Sequence, residues 1–296
     1  MKRNEARIAP RVLVRGAGDF ATGIIHRLHN SGFVIVATEI EKPLAVRRGV
    51  ALSEAVYERT YTVEGVTAVL AAPDETGRVL EEGKVPLVID PDADILERGF
   101  DIVVDARSAK RNLGTTIDDA PIVIAIGPGF EAGTDCHAVV ETLPGEGVGR
   151  VIYEGSAADD TGYPGHLKRS LPCTCACNFD DAADLLLRAP AAGNFLVAKD
   201  IGSVVEKGDT AGWILAEGQA KRAVKSHAKG MVRGIIRDGT PVDKGMKLGD
   251  IDPVMERDRC YTIAEKSRAV AGGVLEACMT LFSGRGMIGS RPAGSD

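Results

Sequence analysis

Apolar residues cluster in short uninterrupted runs along the first half of the chain. Residues 11–15 (RVLVR), 33–39 (FVIVATE), 86–90 (PLVID), 101–106 (DIVVDA), 121–127 (PIVIAIG) and 137–142 (HAVVET) are of this kind. Runs without polar alternation suit parallel strands covered on both faces. Between the first two runs, Phe20, Ile24, Ile25 and Leu28 recur at helical spacing, and Gly32 supplies a stop signal. Strand, glycine turn, helix and strand are the opening of a βαβ unit. The pattern predicts an α/β Rossmann-like, doubly wound parallel sheet to about residue 155.

The pattern then changes. Residues 155–181 are rich in Gly, Asp and Thr and carry Pro164 and Pro172, which predicts a long connecting loop or lid. From Ala189 the chain reads as short strands punctuated by glycine. The segment 201–209 (IGSVVEKGD) is echoed by 237–246 (RDGTPVDKGM), which predicts a small pseudo-symmetric β unit. The run 262–282 reads as a helix, although Gly272-Gly273 weakens it. The expected division is 9–187, a Rossmann-like nucleotide-binding domain; 188–258, the β domain; 259–283, a helix packing back on the first domain; and 284–296, a disordered tail.

Composition narrows the functional classes. A formal net charge of -6 argues against a nucleic-acid footprint, which needs a clustered basic excess. It leaves room for an anionic small ligand held locally. No apolar run approaches the length of a membrane helix, and the basic N-terminus lacks a signal-peptide core, so a cytoplasmic setting is expected. Six cysteines are expected to be thiols or ligands rather than a disulfide scaffold.

The candidate chemistry begins at Gly16-Ala17-Gly18-Asp19, with Ala21 completing a G-x-G-x-x-A turn. Gly16 permits the tight turn, Gly18 allows a phosphate to approach, and Ala21 keeps the helix close to the sheet. Glu39 ends the second strand where a ribose-binding acid would sit. The alternative is a glycine turn kept for packing, and Asp19 repels a phosphate unless it caps the helix or meets a cation. Arg47 and Arg48 offer two guanidiniums to a phosphate or carboxylate; otherwise they are a solvated pair. The stretch 105–116 (DARSAKRNLGTT) offers Arg107, Lys110, Arg111, Asn112 and Thr115 at a carboxyl edge of the sheet, and 127–137 (GPGFEAGTDCH) offers Gly127 and Gly129. Cys173, Cys175 and Cys177 could hold a metal with a fourth ligand from His166, Cys260 or Cys136; otherwise they are free thiols. Asp135 and His137 have no identifiable catalytic partner, and no catalytic residue is assigned.

These segments, with 149–165 (GRVIYEGSAADDTGYPG), 244–253 (KGMKLGDIDP) and 271–277 (AGGVLEA), resemble in order the YqeB-type family. That family comprises accessory proteins of selenium-dependent molybdenum hydroxylase systems and is distantly like the XdhC group. The resemblance runs from Val12 to about Ala277. It marks Gly16, Gly18, Asp19, Arg47, Arg48, Lys110, Asn112, Gly127, Gly129 and Glu141 as motif positions. The family's Arg-Gly-His segment after "ET" is absent; Leu143-Pro144-Gly145-Glu146-Gly147 stands there instead.

The resemblance implies a maturation factor of a molybdenum hydroxylase. Its expected ligand is a nucleotide or molybdopterin dinucleotide, and its expected partners are the hydroxylase apoenzyme or other cofactor-maturation proteins, with a homo-oligomer also open. An NAD(P)-dependent oxidoreductase using the same glycine turn, and a ligand-free docking scaffold, are the alternatives. The β unit looks like a biotinyl/lipoyl-type barrel-sandwich, with Lys221 and Lys225 on the linker 216–230 as positional candidates for modification. Their sequence context differs, so no covalent biotin or lipoate is expected.

Overall fold

The computed structural model describes residues 9–159, 182–216 and 220–284. The apolar runs become strands of one nine-stranded sheet. In chain order the sheet's strands begin with β1 (Arg11–Arg15), β2 (Val34–Glu39), β3 (Thr60–Val63), β4 (Val66–Leu70), β5 (Val85–Ile89), β6 (Ile102–Asp105) and β7 (Ile122–Ile126), of which β3 and β4 lie outside the apolar runs. A two-residue strand β8 (Glu131–Ala132) follows, then β9 (Ala138–Val140), β10 (Val151–Ile152) and β11 (Gly155–Ser156). The order across the sheet is β10-β9-β7-β6-β1-β2-β5-β4-β3, while β8 and β11 pair separately. The helices are α1 (Asp19–Asn30), α2 (Ala55–Glu58), α3 (Thr76–Glu81) and α4 (Glu265–Gly284).

The two faces of the sheet are covered differently. Val12 and Val14 pack with Ile24, Ile25 and Leu28 of α1 and with Val270, Val274 and Cys278 of α4. Leu13, pointing the other way, packs with Ile95, Phe100, Phe130 and Ala157, which come from a 3-10 turn, loops and the β8 region.

The expected doubly wound Rossmann-like sheet is therefore corrected. The sheet is mixed, because β3 and β10 run antiparallel at its two edges. The crossover from β6 to β7 contains no α-helix. Ser108, Lys110 and Gly114 there have positive φ, and left-handed residues cannot propagate a helix. Between β5 and β6 there is only the 3-10 turn Asp94–Arg98.

Residues 185–251 enclose a second core, with Phe195, Val232, Ile235, Leu248 and Ile251 at its centre. Its strands are β12 (Leu186–Arg188), β13 (Gly193–Val197), β14 (Val204–Val205), β15 (Thr210–Leu215), β16 (Arg222–Lys225), β17 (Gly230–Ile235), β18 (Pro241–Val242) and β19 (Lys247–Asp252). They form two antiparallel four-stranded sheets, β12-β19-β17-β14 and β16-β15-β13-β18. The sequence echo has a structural counterpart. β14 and β18 are edge strands of opposite sheets, each burying one valine, Val205 or Val242. Their flanking turns match as well: Gly202 and Gly239 precede them, Gly208 and Gly245 follow, and all four have positive φ.

The biotinyl/lipoyl-type reading of this unit is also corrected. Such a domain presents its lysine at a hairpin tip. Lys225 instead lies within β16, where its amino group donates to Thr210 Oγ1 at 2.8 Å, and Lys221 only precedes the strand.

α4 returns to the first sheet and packs along α1, where Gly23 brings the two backbones close at Ser267. The Gly272-Gly273 pair does not break the helix, which runs unbroken through it. No helix among the described residues is long and apolar enough to cross a membrane. The loop expected over 155–181 is described only at its start, where β11 pairs with β8. His166, Cys173, Cys175, Cys177 and the expected tail from Arg285 onward lie outside the described residues.

Candidate functional site

The segment after β2 joins the two units. Val46 packs into the second core. Arg48 Nε donates to the Ile235 carbonyl at 2.8 Å, and its Nη2 meets Asp200 at 2.7 Å. Arg237 answers from the second unit: it lies 4.1 Å over the Tyr57 ring and donates to Glu54 and Glu58. Arg48 thus works in the junction. Arg47, its neighbour, points into a cleft of about 260 Å³ between the units.

Five cationic side chains line this cleft: Arg47, Lys110, Arg233, Lys247 and Lys266. Only two acidic residues, Asp250 and Asp252, accompany them. Arg47 Nη2 meets Asp250 Oδ2 at 3.0 Å, and Lys247 Nζ stands 3.6 Å from Oδ1 of the same carboxylate. Arg233 Nη1 is 3.3 Å from Asp252 Oδ2. Burial works against the Asp250 carboxylate, but the charges of Arg47 and Lys247 outweigh it and hold its pKa below the usual value. Burial and the nearby Arg47 lower the pKa of Arg233. Ile126, Pro128, Leu185, Leu186 and Ile251 form the apolar wall, and Thr142 and Ser108 add hydroxyls.

The glycine turn sits at the edge of this arrangement and is largely spent on internal bonds. The Gly16 amide donates to the Thr38 carbonyl, and the Ala17 amide donates to Glu39 Oε1 at 3.0 Å. Glu39 Oε2 accepts from Ile40. The acid expected to meet a ribose is therefore locked onto the turn it was expected to complement. Gly16 has φ of +99°, and a Cβ there would come within 3.1 Å of the Arg107 Cα, so the residue serves both turn and packing. Ala17 and Ala21 are fully buried. Gly18 caps α1 with open space on its Cβ side. Asp19 lies close enough to Arg47 and Lys266 to favour their charged forms, which answers the repulsion expected of it.

The crossover after β6 divides its residues. Lys110 and Gly127 line the cleft. Arg107 does not; it clamps Asp105, and both bond the Thr115 hydroxyl, which also accepts from the buried Arg15. Asn112 closes the same loop through reciprocal bonds with Thr115. Gly129 packs against the Arg111 backbone. Glu141 accepts from the Leu143 and Ala158 amides and so shapes the cleft rim where the Arg-Gly-His segment is missing. His137 Nδ1 accepts from the Val123 amide, and Asp135 accepts from the Glu131 amide. Among the described residues no group of three or more His, Cys, Asp or Glu could hold a metal. Burial raises the thiol pKa of Cys136 to about 12, and raises that of Cys260.

Five cleft charges were not anticipated from sequence: Arg233, Lys247, Asp250, Asp252 and Lys266. Lys247, Asp250 and Asp252 do fall in the segment 244–253 that carries the family resemblance, which is the one signal that pointed to them.

Fold and site together define a two-unit α/β protein with a cationic cleft at the junction of its units. The chain is similar to the uncharacterized protein YqeB of Escherichia coli (strain K12), with 43% identity over 273 residues that cover 92% of this chain and 48% of that protein. This match supports kinship with the YqeB family; the chain spans about half the length of the curated relative it matches. No protein-family model matches it.

Among solved structures it is similar to an aspartoacylase family protein from Mesorhizobium loti, with 14% identity and a TM-score of 0.27. It is also similar to the ectoine utilization protein EutE from Ruegeria pomeroyi (12%, TM-score 0.28) and to a succinylglutamate desuccinylase/aspartoacylase from Rhodobacter sphaeroides (18%, TM-score 0.26). Each match covers 82% of this chain and 85% of the other. At these scores the likeness assigns no chemistry. The glycine turn, its amides bonded to Thr38 and Glu39, and the mixed sheet correct the Rossmann nucleotide-binding reading of the chain.

Proposed function

We propose that the cleft binds a phosphate- or carboxylate-bearing small molecule, and that the protein serves as an accessory factor of a molybdenum hydroxylase. The first part is carried by the charge balance: five cations against two carboxylates around one cleft. Arginine forks match planar oxyanions, and lysines act as point charges. Asp250 and Asp252 order the arginines without neutralising the whole set. The apolar wall suits the uncharged body of such a ligand. The accessory role is supported by the ordered sequence motifs shared with such factors.

Titration calorimetry with inorganic pyrophosphate tests the first part, followed by displacement with molybdopterin dinucleotide or NADPH. Binding is expected to weaken with salt and to fall roughly tenfold in Lys247→Met, the loss of one close charge contact. Lys84→Met, at a remote surface pair with Glu82, leaves it unchanged. Absence of heat with pyrophosphate and citrate at millimolar concentration refutes the reading. Co-purification with a hydroxylase apoenzyme tests the second part.

A further inference from the structure

One lysine of the cleft differs from the other cations in its surroundings. Lys266 is the second residue of α4, and its amino group lies 4.7 Å from the ring centroid of Phe20, the second residue of α1. The ammonium form is therefore held near the N-terminal ends of two helices, the positive ends of both dipoles. Arg47 and Lys247 add repulsion, while Asp19 and Asp250 oppose them. The Phe20 ring returns part of the lost stabilisation to the charged form. Burial is the largest influence, and the outcome is a pKa below the ordinary lysine value. Arg47, Arg233 and Lys247 each face a carboxylate within 4 Å. The Lys266 amino group has no ion pair or hydrogen bond among the described residues. An amine whose ammonium form is disfavoured by burial and by neighbouring cations, and which no carboxylate pairs among the described residues, gives up its proton more readily than a surface lysine, and the free amine is a nucleophile.

Resting on the anion-binding reading above, we propose that Lys266 is the reactive amine of the cleft, condensing with the carbonyl carbon of an anionic aldehyde or ketone. The Nζ lone pair of the neutral amine attacks the carbonyl carbon, and both protons of the nitrogen pass in turn to the former carbonyl oxygen. That oxygen then leaves as water when the C=N bond forms. Amine and carbonyl give imine and water, with no oxidant or reductant. Arg47 and Lys247 attract the acid group of the same molecule, so charge recognition and bond formation share one cleft.

Pyridoxal 5′-phosphate, which carries an aldehyde and a phosphate, is the probe. The protein is incubated with it, reduced with borohydride and mapped by peptide mass spectrometry. Lys266 is expected to be labelled about tenfold faster than Lys247 or Lys110, the selectivity of a perturbed amine in a charged site. Pyrophosphate is expected to slow the labelling. Lys266→Arg and Lys266→Met, checked for folding by circular dichroism, lose the selective label. Equal labelling of all three lysines, or selective uptake that survives Lys266→Arg, overturns the proposal. If pyrophosphate binds by calorimetry while Lys266 stays unlabelled, the imine falls and the anion-binding cleft stands. If Lys266 is labelled but pyrophosphate neither binds nor protects, the anion reading fails and takes the proposal with it.

Discussion

Two adjacent glycines of α4 respond oppositely to the same substitution. Gly272 is half-buried and has nothing within 4 Å of the position its Cβ would occupy. Alanine there adds only helix propensity, a gain of about 1 kcal/mol. Gly273 is buried against the loop after β9. A Cβ on it would fall well inside contact distance of the Gly149 carbonyl oxygen and 2.8 Å from Val140 Cγ1. The fit is reciprocal, because a Cβ on Gly149 would lie 2.5 Å from the Ala269 carbonyl oxygen. These partners include backbone, which cannot swing aside like a side-chain tip, so helix and loop must part by roughly 1 Å to restore normal contact. Overpacking of this kind costs about 1–3 kcal/mol and more where backbone must move. After the same propensity gain, Gly273→Ala should lose about 2 kcal/mol. Urea unfolding at equal m-values measures both variants. In heat, each kcal/mol corresponds to about 2–4 °C for a domain of this size. If both variants stabilise the protein alike, α4 does not pack on the loop at Gly149 and the reasoning is wrong.

Further outcomes follow from the buried charges and thiols. Arg47→Met should destabilise by about 3 kcal/mol, because it strands the Asp250 carboxylate in the interior; a loss under half that in chemical unfolding would show the pair to be solvated. The folded-state pKa of Asp250 is lowered, so its contribution to stability is complete above the unfolded value near 4 and disappears as pH falls through the folded value. The stability gap between parent and Asp250→Asn should therefore shrink between about pH 5 and pH 3, and a gap independent of pH contradicts the assignment. Burial lifts the Cys136 and Cys278 thiols to about 12, so iodoacetamide at pH 8 should leave both unmodified until urea unfolds the chain, as read by peptide mass spectrometry; rapid native labelling of either would count against the packing described.

The features legible along the chain were local. Uninterrupted apolar runs marked β1, β2, β5, β6, β7 and β9, because a strand buried on both faces has no polar position to spare. Helical spacing marked α1, and repeated turn glycines marked the paired edges at Val205 and Val242. Hydropathy does not record what covers a sheet face. A doubly wound sheet was expected, yet loops and a 3-10 turn cover Leu13 where crossover helices would otherwise lie. Nor could the glycine signature reveal that Glu39 would cap the turn amide, since that bond joins residues 22 positions apart.

The site itself exists only once the two units pack together. Arg47 and Asp250 are 203 positions apart in the chain, and Lys266 reaches Phe20 from the far end of the sequence. Charges on separate strands, loops and helices carry no local pattern that announces their meeting. Packing of the second unit against the first gathers them, and the same packing turns Arg48 away from the cleft while holding Arg47 in it.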